Sequence, residues 1–554
     1  MTTSSRAHRH APVWFRPGEV VVVVELPPEA QPQAVQRSVR LALEQDLAGS
    51  VGGVFHPAQQ RAEPIVFTAP NRPRLAFLFF ELADRESAAA VKRVVTAAHA
   101  DDFDSLARVR RDGITPVGAM PHWLALAQQD CMGGSPGSFP RPVRRADLPP
   151  SQGRWCYRYT PSDRSLDLRA RSARLARSCL VPVVVLDTVP DERTVQRQAQ
   201  RFHEVNGQIE EVTPLVDAAA AESGPHAERL HHLEGLPWRV KRSHRNATVP
   251  VGDLADHGLF VASLVRELAP RAPLRLMPVL SSHGIGDLET LLRALASVTR
   301  AKTPADPLVI NLSLGLMPHV ERLLSVWYGM PRPHDPEFVA DPAMRTDGQD
   351  AGWVVDNRNE AERQVGLLHA GLDRVATYLL ENNCLVVAAA GNDSLRQVED
   401  GRPRLGPRVP ARYESVLGVA ATGRDGSQGA RYSNVGDEQE LGDHVASLGG
   451  DVDDDGEPLD GIIGVHTAAY FPDARTGRPS RALPNETGWA SWSGTSFTTA
   501  IVSGIAANYW AAQRGKGSSP HARQVLYTLG SQADAYAPSL RTPSLEVTGS
   551  WEPV

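Results

Sequence analysis

The sequence predicts a two-part chain: a small α+β domain of ferredoxin-like order, then a larger α/β domain built on a doubly wound parallel sheet. Three observations carry this. Residues 18–112 alternate strand and helix patterns in the order β-α-β-β-α-β. From about 154 to 530, near-continuous aliphatic runs alternate with helical patterns, as strands covered on both faces do. Between the two, residues 133–153 (GGSPGSFPRPVRRADLPPSQG) are rich in Gly, Pro, Ser and Arg, lack apolar periodicity and read as a linker.

In the first domain (1–132), Glu19–Leu26 reads as a strand. Its core, Val20–Val24, is short for a signal peptide, is flanked by Glu19 and Glu25, and is followed by no small-residue cleavage site. Pro32–Gln45 has helical periodicity, Pro64–Thr68 and Arg74–Glu81 read as strands, Ser87–Ala98 as a second helix, and Leu106–Val109 as the final strand. In the second domain (154–530), the aliphatic runs are Leu180–Leu186, Leu274–Leu280, Leu308–Leu314, Cys384–Ala390 and Val416–Ala421. Helical patterns cover His257–Leu268, Ile285–Thr299 and Glu360–Glu381. Insertions near 190–250 and 316–356 exceed ordinary loop length, and 531–554 reads as a C-terminal tail.

Composition removes several function classes. The 554 residues are 42% hydrophobic and 22% charged, which excludes a disordered chain. Lys and Arg total 58 against 64 Asp and Glu, a net charge of −6, which argues against nucleic acid as a partner. No stretch reaches the 18 or so apolar residues that span a bilayer, so a membrane is not expected as a partner either. Four cysteines (Cys131, Cys156, Cys179, Cys384) lack ligand-type or CxxC spacing, so neither a disulfide scaffold nor a zinc site is expected. Reduced thiols and the absence of an export signature lead to a cytoplasmic expectation.

Four polar residues stand where chemistry collects in α/β proteins. Asp187 ends the run VVVLD, at the carboxyl end of a strand. By itself, an Asp ending a strand is more often a turn or cap residue. His257 opens HGLFVASLVREL, whose apolar stripe marks a buried helix; the positive helix end favours the neutral imidazole that a general base requires. A capping or surface histidine is the alternative. Ser496, in SGTSFTTAIVSG, is either an N-cap or a nucleophile whose own N–H faces a developing oxyanion. Asn392, in AAAGNDS, is either a turn residue or an oxyanion donor.

Seven segments then occur in one order: VVVLDT, HGLFVAS, INLSLG, AAAGN, PARYESVLGVAA, RYSNVG and SGTSFTTAIVSG. This series, spanning roughly 180–512, resembles the subtilisin-like serine proteases, the subtilases. Its Asp…His…Ser order is that of subtilisin. The resemblance implies a subtilisin-like catalytic domain and an endopeptidase acting on a protein or peptide substrate. It makes Ser496 the nucleophile, His257 the general base and Asp187 its orienting partner, with Asn392 and the Ser496 N–H as the oxyanion hole. It also implies that Ser313, Leu314 and Gly315 pair with the backbone of an extended substrate. Many subtilases carry a β-α-β-β-α-β prodomain, so residues 18–112 are expected to restrain the protease.

The sequence departs from the family pattern at Val189, Leu259, Phe260, Phe497 and Ala500, none of them a triad or oxyanion position. The competing reading is a catalytically silent module that holds an extended peptide in the same cleft. No cofactor is expected. Asp451, Asp453 and Asp455 match the opening of a calcium loop, but its twelfth position is Ile462 and not Glu, so a solvated acidic loop is the expectation and structural calcium the alternative.

Overall fold

The structure is a computed structural model. It describes residues 15–51, 55–57, 63–82, 88–99, 106, 109–110, 112–127, 139–148, 153–159, 175–222, 239–241, 248–250, 254–316, 323, 358–424, 426, 428–435, 444–453, 459–473, 479–531, 535–537, 540 and 542–553. The chain divides into two compact units. The first comprises Met1–Val66, Pro73–Trp123 and Pro318–Gly371; the second comprises Phe67–Arg72, Leu124–Met317 and Leu372–Val554.

In the first unit, β1 (Phe15–Leu26), α1 (Pro32–Val51), β2 (Phe55–Pro57), β3 (Ile65–Phe67), β4 (Arg74–Leu82), α2 (Ala88–His99) and β5 (Thr115–Leu126) follow one another. The antiparallel sheet has the order β5-β1-β4-β2, with β3 beside β4. Val22 stands opposite Leu78 on one side and Ala119 on the other. Val20–Val24 are all buried, because α2 packs on β1 and a helix glycine, Gly371, sits hard against Val23. That double covering is why the run is continuously apolar rather than alternating.

Two expectations are corrected here. Leu106–Val109 is not a strand: Leu106 lies in a 3₁₀ turn and Val109 in helix, and both side chains are buried. The final strand is instead β5, which carries Pro116, Gly118 and Pro121 and so does not read as a strand. Prolines are tolerated there because, among the described residues, Thr115–Trp123 pairs on one side only, with β1.

The second unit opens with β6 (Arg141–Pro142), β7 (Gly153–Tyr159), β8 (Val183–Asp187), α3 (Glu192–Phe202), α4 (Gln208–Glu222), β9 (Arg239–Lys241) and β10 (Thr248–Pro250). It continues with α5 (His257–Leu268), β11 (Leu274–Pro278), β12 (Ile285–Asp287), α6 (Leu288–Arg300), β13 (Leu308–Leu312) and β14 (Gly315–Leu316). After α7 (Arg358–Glu381) come β15 (Cys384–Ala389), α8 (Leu395–Glu399), β16 (Val416–Thr422), β17 (His444–Leu448), β18 (Ile462–Val465), β19 (Tyr470–Pro472), β20 (Pro479–Pro484) and β21 (Trp489–Trp492). The chain closes with α9 (Thr495–Gly515), α10 (Ala522–Ser531), β22 (Ala535–Ala537), β23 (Thr542–Leu545) and β24 (Val547–Pro553).

The main sheet has eight strands in the order β11-β8-β13-β15-β16-β17-β23-β22, parallel except for β22. From β8 the chain turns to one side to form β11, and then to the other for β13 and β15. The strand order therefore reverses between β8 and β13, the kind of point at which open α/β sheets place their ligands. Helix α9 packs against β13, β15, β16 and α5 in the core. The expected helix Ile285–Thr299 begins only at Leu288. Residues 285–287 form β12, and Asp287 caps the helix by accepting from Thr290 N at 2.9 Å.

Candidate active site

Three neighbouring strands end at one place. Asp187 is the last residue of β8, Ser313 follows β13, and Asn392 follows β15 after the Ala390–Gly391 turn. Asp187 is fully buried. Its Oδ1 accepts from Thr188 N at 2.7 Å and lies 2.8 Å from His257 Nδ1.

The approach of α5 to β8 is locked by its second residue. Gly258 N donates to Thr188 Oγ1 (2.9 Å), which in turn donates to the carbonyls of Leu254 and Ala255. A Cβ on Gly258 would stand 2.1 Å from the Thr188 carbonyl oxygen, so only glycine lets the helix start this close to the strand end. Asp256, just before His257, takes hydrogen bonds from Thr467 N, Thr467 Oγ1 and Ala468 N. The imidazole packs edge-on against Trp492 (centroids 5.4 Å apart) and tilted against Phe497 (5.6 Å).

Ser496 lies in the first turn of α9 and is 4% exposed. Its hydroxyl donates to the Ser313 carbonyl at 3.2 Å, while the Ser313 hydroxyl donates to the Ser496 carbonyl at 2.8 Å. Among the described residues it makes no hydrogen bond to His257, a looseness common before substrate binds. Asn392 Oδ1 accepts from Thr495 N (3.0 Å) and Thr495 Oγ1 (2.8 Å). This fixes the amide with its oxygen on Thr495 and its nitrogen 3.6 Å from where a Cβ on Gly494 would stand.

A buried network supports this corner. Arg408 Nε donates to Asp393 Oδ2 (2.7 Å), and Asn434 Nδ2 donates to the same oxygen (2.9 Å). Asn434 Oδ1 accepts from Asp393 N (3.0 Å) and Ser394 Oγ (2.9 Å). The conspicuous segments AAAGN and RYSNVG are thereby tied together, although Asp393, Arg408 and Asn434 carry no site signal as single residues.

Leu124–Leu126, the end of β5, lies between β12 and β14. Leu126 stands opposite both Ile285 and Gly315, and Ala125 opposite both Gly286 and Leu316, all antiparallel. Nothing in the sequence marks these residues, because their pairing is entirely long-range.

The acidic loop is placed elsewhere. Asp451 Oδ1 accepts from Arg431 N (2.8 Å) and Val452 N (2.9 Å), and burial raises its carboxyl pKa. Asp455 lies outside the described residues. Among the described residues no cluster of three or more His, Cys, Asp or Glu is arranged to hold a metal ion.

The model of the subtilase family matches residues 246–536, more than half of the chain. The chain is a subtilase. It is a serine endopeptidase, and its larger unit has the subtilisin-like fold. The match starts after β8, so Asp187 enters the site through the fold and its contact with His257. Solved structures similar to this subtilase include the epidermin leader peptide processing serine protease of Staphylococcus aureus, at 12% identity and a TM-score of 0.41, covering 95% of this chain and 97% of that one. A lanthipeptide protease matches at 18% identity and 0.37, covering 68% and 86%. The protease domain of PatA matches at 19% and 0.34, covering 66% and 91%. A search of curated proteins finds no match. Among the described residues of the subtilase, no helix is long and apolar enough to cross a membrane.

Proposed function

We propose that this subtilase hydrolyses peptide bonds of an extended protein or peptide substrate in the cytoplasm, through an acyl-enzyme, with Ser496, His257 and Asp187 as its triad. The observation that carries the reading is the 2.8 Å contact between Asp187 Oδ1 and His257 Nδ1, made at the strand ends where Ser496 also sits.

In this mechanism Ser496 Oγ leaves the Ser313 carbonyl and attacks the substrate carbonyl carbon, while His257 Nε2 takes its proton. Asp187 holds the other ring nitrogen as N–H and stabilises the imidazolium. The tetrahedral oxyanion accepts from Asn392 Nδ2 and Ser496 N. His257 then protonates the leaving amine, the C–N bond breaks, and water, deprotonated by His257, releases the new carboxylate and restores Ser496.

The N-terminal part acts as an attached restraint. One feature supports this: the strand order β5-β1-β4-β2 with two helices, which suits a ferredoxin-like prodomain. Labelling with a fluorophosphonate tests the catalytic reading. Wild type should label and Ser496→Ala should not; an unlabelled wild type under every activating condition would favour the silent peptide-holding module instead.

A further inference from the structure

The strap 404–408 joins the two segments around Asn392. Leu405 N donates to Ser394 Oγ at 2.9 Å, and the Leu405 carbonyl accepts from Val435 N at 2.9 Å. The strap delivers Arg404 to a cup of backbone carbonyls in the turn that follows β16. Arg404 Nη1 donates to the carbonyls of Ala430 (2.6 Å), Arg431 (3.3 Å) and Ser433 (3.0 Å), and Nη2 donates to that of Gly429 (3.0 Å).

Nη1 carries two hydrogens and meets three oxygens, so the contact is radial, as around a cation, rather than pairwise. Carbonyl dipoles aimed at one point repel one another and, away from water, lack other partners for their charge. A positive group at that point stabilises them all. A counter-charge stands near: Asp451 accepts from Arg431 N at 2.8 Å, and its carboxylate opposes the fall in the Arg404 pKa that burial causes.

The cup leads to the site through one peptide. The Ser433 carbonyl belongs to the Ser433–Asn434 peptide, whose N–H donates to the Gly391 carbonyl at 2.9 Å. The Asn434 side chain grips the same turn. Its Nδ2 donates to the Ala390 carbonyl (3.2 Å) and to Asp393 Oδ2 (2.9 Å), and its Oδ1 accepts from Asp393 N (3.0 Å). The residues on both sides of Asn392 are thus set by Asn434, and Arg404 holds the peptide that places it.

We propose that Arg404 is a positioning residue for the oxyanion donor: an internal cation that fills the carbonyl cup of residues 429–433 and, through the Ser433–Asn434 peptide, holds Asn392 where the oxyanion forms. This rests on the catalytic reading above and adds to it a residue outside the seven ordered segments. Removing the guanidinium takes a donor from four carbonyls at once, so the turn opens and the hold on Asn392 loosens.

The test uses the full chain as wild type, Arg404→Ala and Arg404→Lys, each with and without Asn392→Ala, and a fluorophosphonate as probe. Ser496 Oγ bonds to its phosphorus, His257 takes the serine proton, fluoride leaves, and the phosphoryl oxygen occupies the oxyanion's place. Arg404→Ala should lower the saturating labelling rate by about 10- to 100-fold and leave the half-saturating concentration within about two-fold. Arg404→Lys, a point charge with fewer donors, should recover part of that loss. In the Asn392→Ala background the same changes should cost little, because groups that act as a unit are not additive. Guanidinium chloride below denaturing concentration should restore Arg404→Ala several-fold, and sodium chloride of equal ionic strength should not. A saturating rate in Arg404→Ala within about two-fold of wild type overturns the proposal, as does an equal loss in both Asn392 backgrounds or an equal rescue by sodium chloride. If Arg404→Ala does not fold, Arg404→Lys in the two backgrounds decides. A wild type that never labels overturns the catalytic reading, and the proposal falls with it.

Discussion

Phe260 and Phe497 meet ring to ring, their centroids 4.7 Å apart at an interplanar angle of 61°. Both also touch Trp492, at 5.5 and 5.0 Å, and Phe497 and Trp492 touch the His257 imidazole. These two phenylalanines stand where the subtilase pattern carries His and Met, so two departures in sequence are one packing event in space. The cluster forms an apolar wall behind His257 and leaves no room beside it. A Cβ on Gly464 would stand 2.8 Å from the Phe260 ring.

The pair should therefore be energetically coupled. Phe260→Ala and Phe497→Ala should each cost about 3–5 kcal/mol of stability. The double variant should cost less than their sum, by roughly 0.5–3 kcal/mol. Urea unfolding of the four proteins of this cycle measures the coupling, and strict additivity would deny it.

Asp187→Asn should keep the fold and lower kcat by about 10⁴, because the imidazole loses both its tautomer and its charge partner. Combining it with Ser496→Ala should be little worse than Ser496→Ala alone, since triad members act as a unit. Steady-state hydrolysis within a few-fold of wild type would remove Asp187 from the machinery.

Gly258→Ala tests the clamp on α5. The new methyl meets the Thr188 carbonyl, so the helix start must move, carrying His257 with it. A stability loss of about 1–3 kcal/mol, with a larger fall in kcat than in substrate binding, is the expected result. Thermal melting and steady-state kinetics on one preparation read both.

The first unit should weaken in mild acid. Burial pushes His99 from 6.5 down to about 4, and its Nε2 accepts from Ala119 N at 2.9 Å, a bond that protonation forfeits. The folded pKa is below the unfolded one, so this contribution is complete above pH 6.5 and is lost as pH falls from 6.5 toward 4. It amounts to about 3 kcal/mol at most. Urea midpoints of wild type and His99→Gln across that window should converge as pH falls.

Chelating calcium should shift the melting temperature by no more than about a degree or two, since Asp451 is already engaged by two backbone N–H groups. A stabilisation by added calcium near 2.7 kcal/mol, as a ligand at 100 times its Kd gives, would instead establish a bound ion.

Much of the parallel sheet was legible because strands covered on both faces must be continuously apolar. VVVLD, LVINL and CLVVAA each became a strand within a few residues of the expected bounds. Helix α5 was legible from its stripe and from His257 at its start. Residues 106–109 and 285–287 misled, because short apolar runs fit a helical turn and a strand equally well until their partners are known.

What the sequence by itself determined is the order of motifs, and with it the family and the four polar residues singled out for the site. Local patterns and spacing along the chain suffice for that. Only the tertiary structure decided which atoms meet: Asp187 Oδ1 with His257 Nδ1, Phe260 with Phe497, Arg408 with Asp393, and Leu124–Leu126 between β12 and β14. These contacts join residues far apart in the chain, and their geometry follows from sheet order, register and the close approach that Gly258 and Gly284 permit, none of which a one-dimensional pattern encodes.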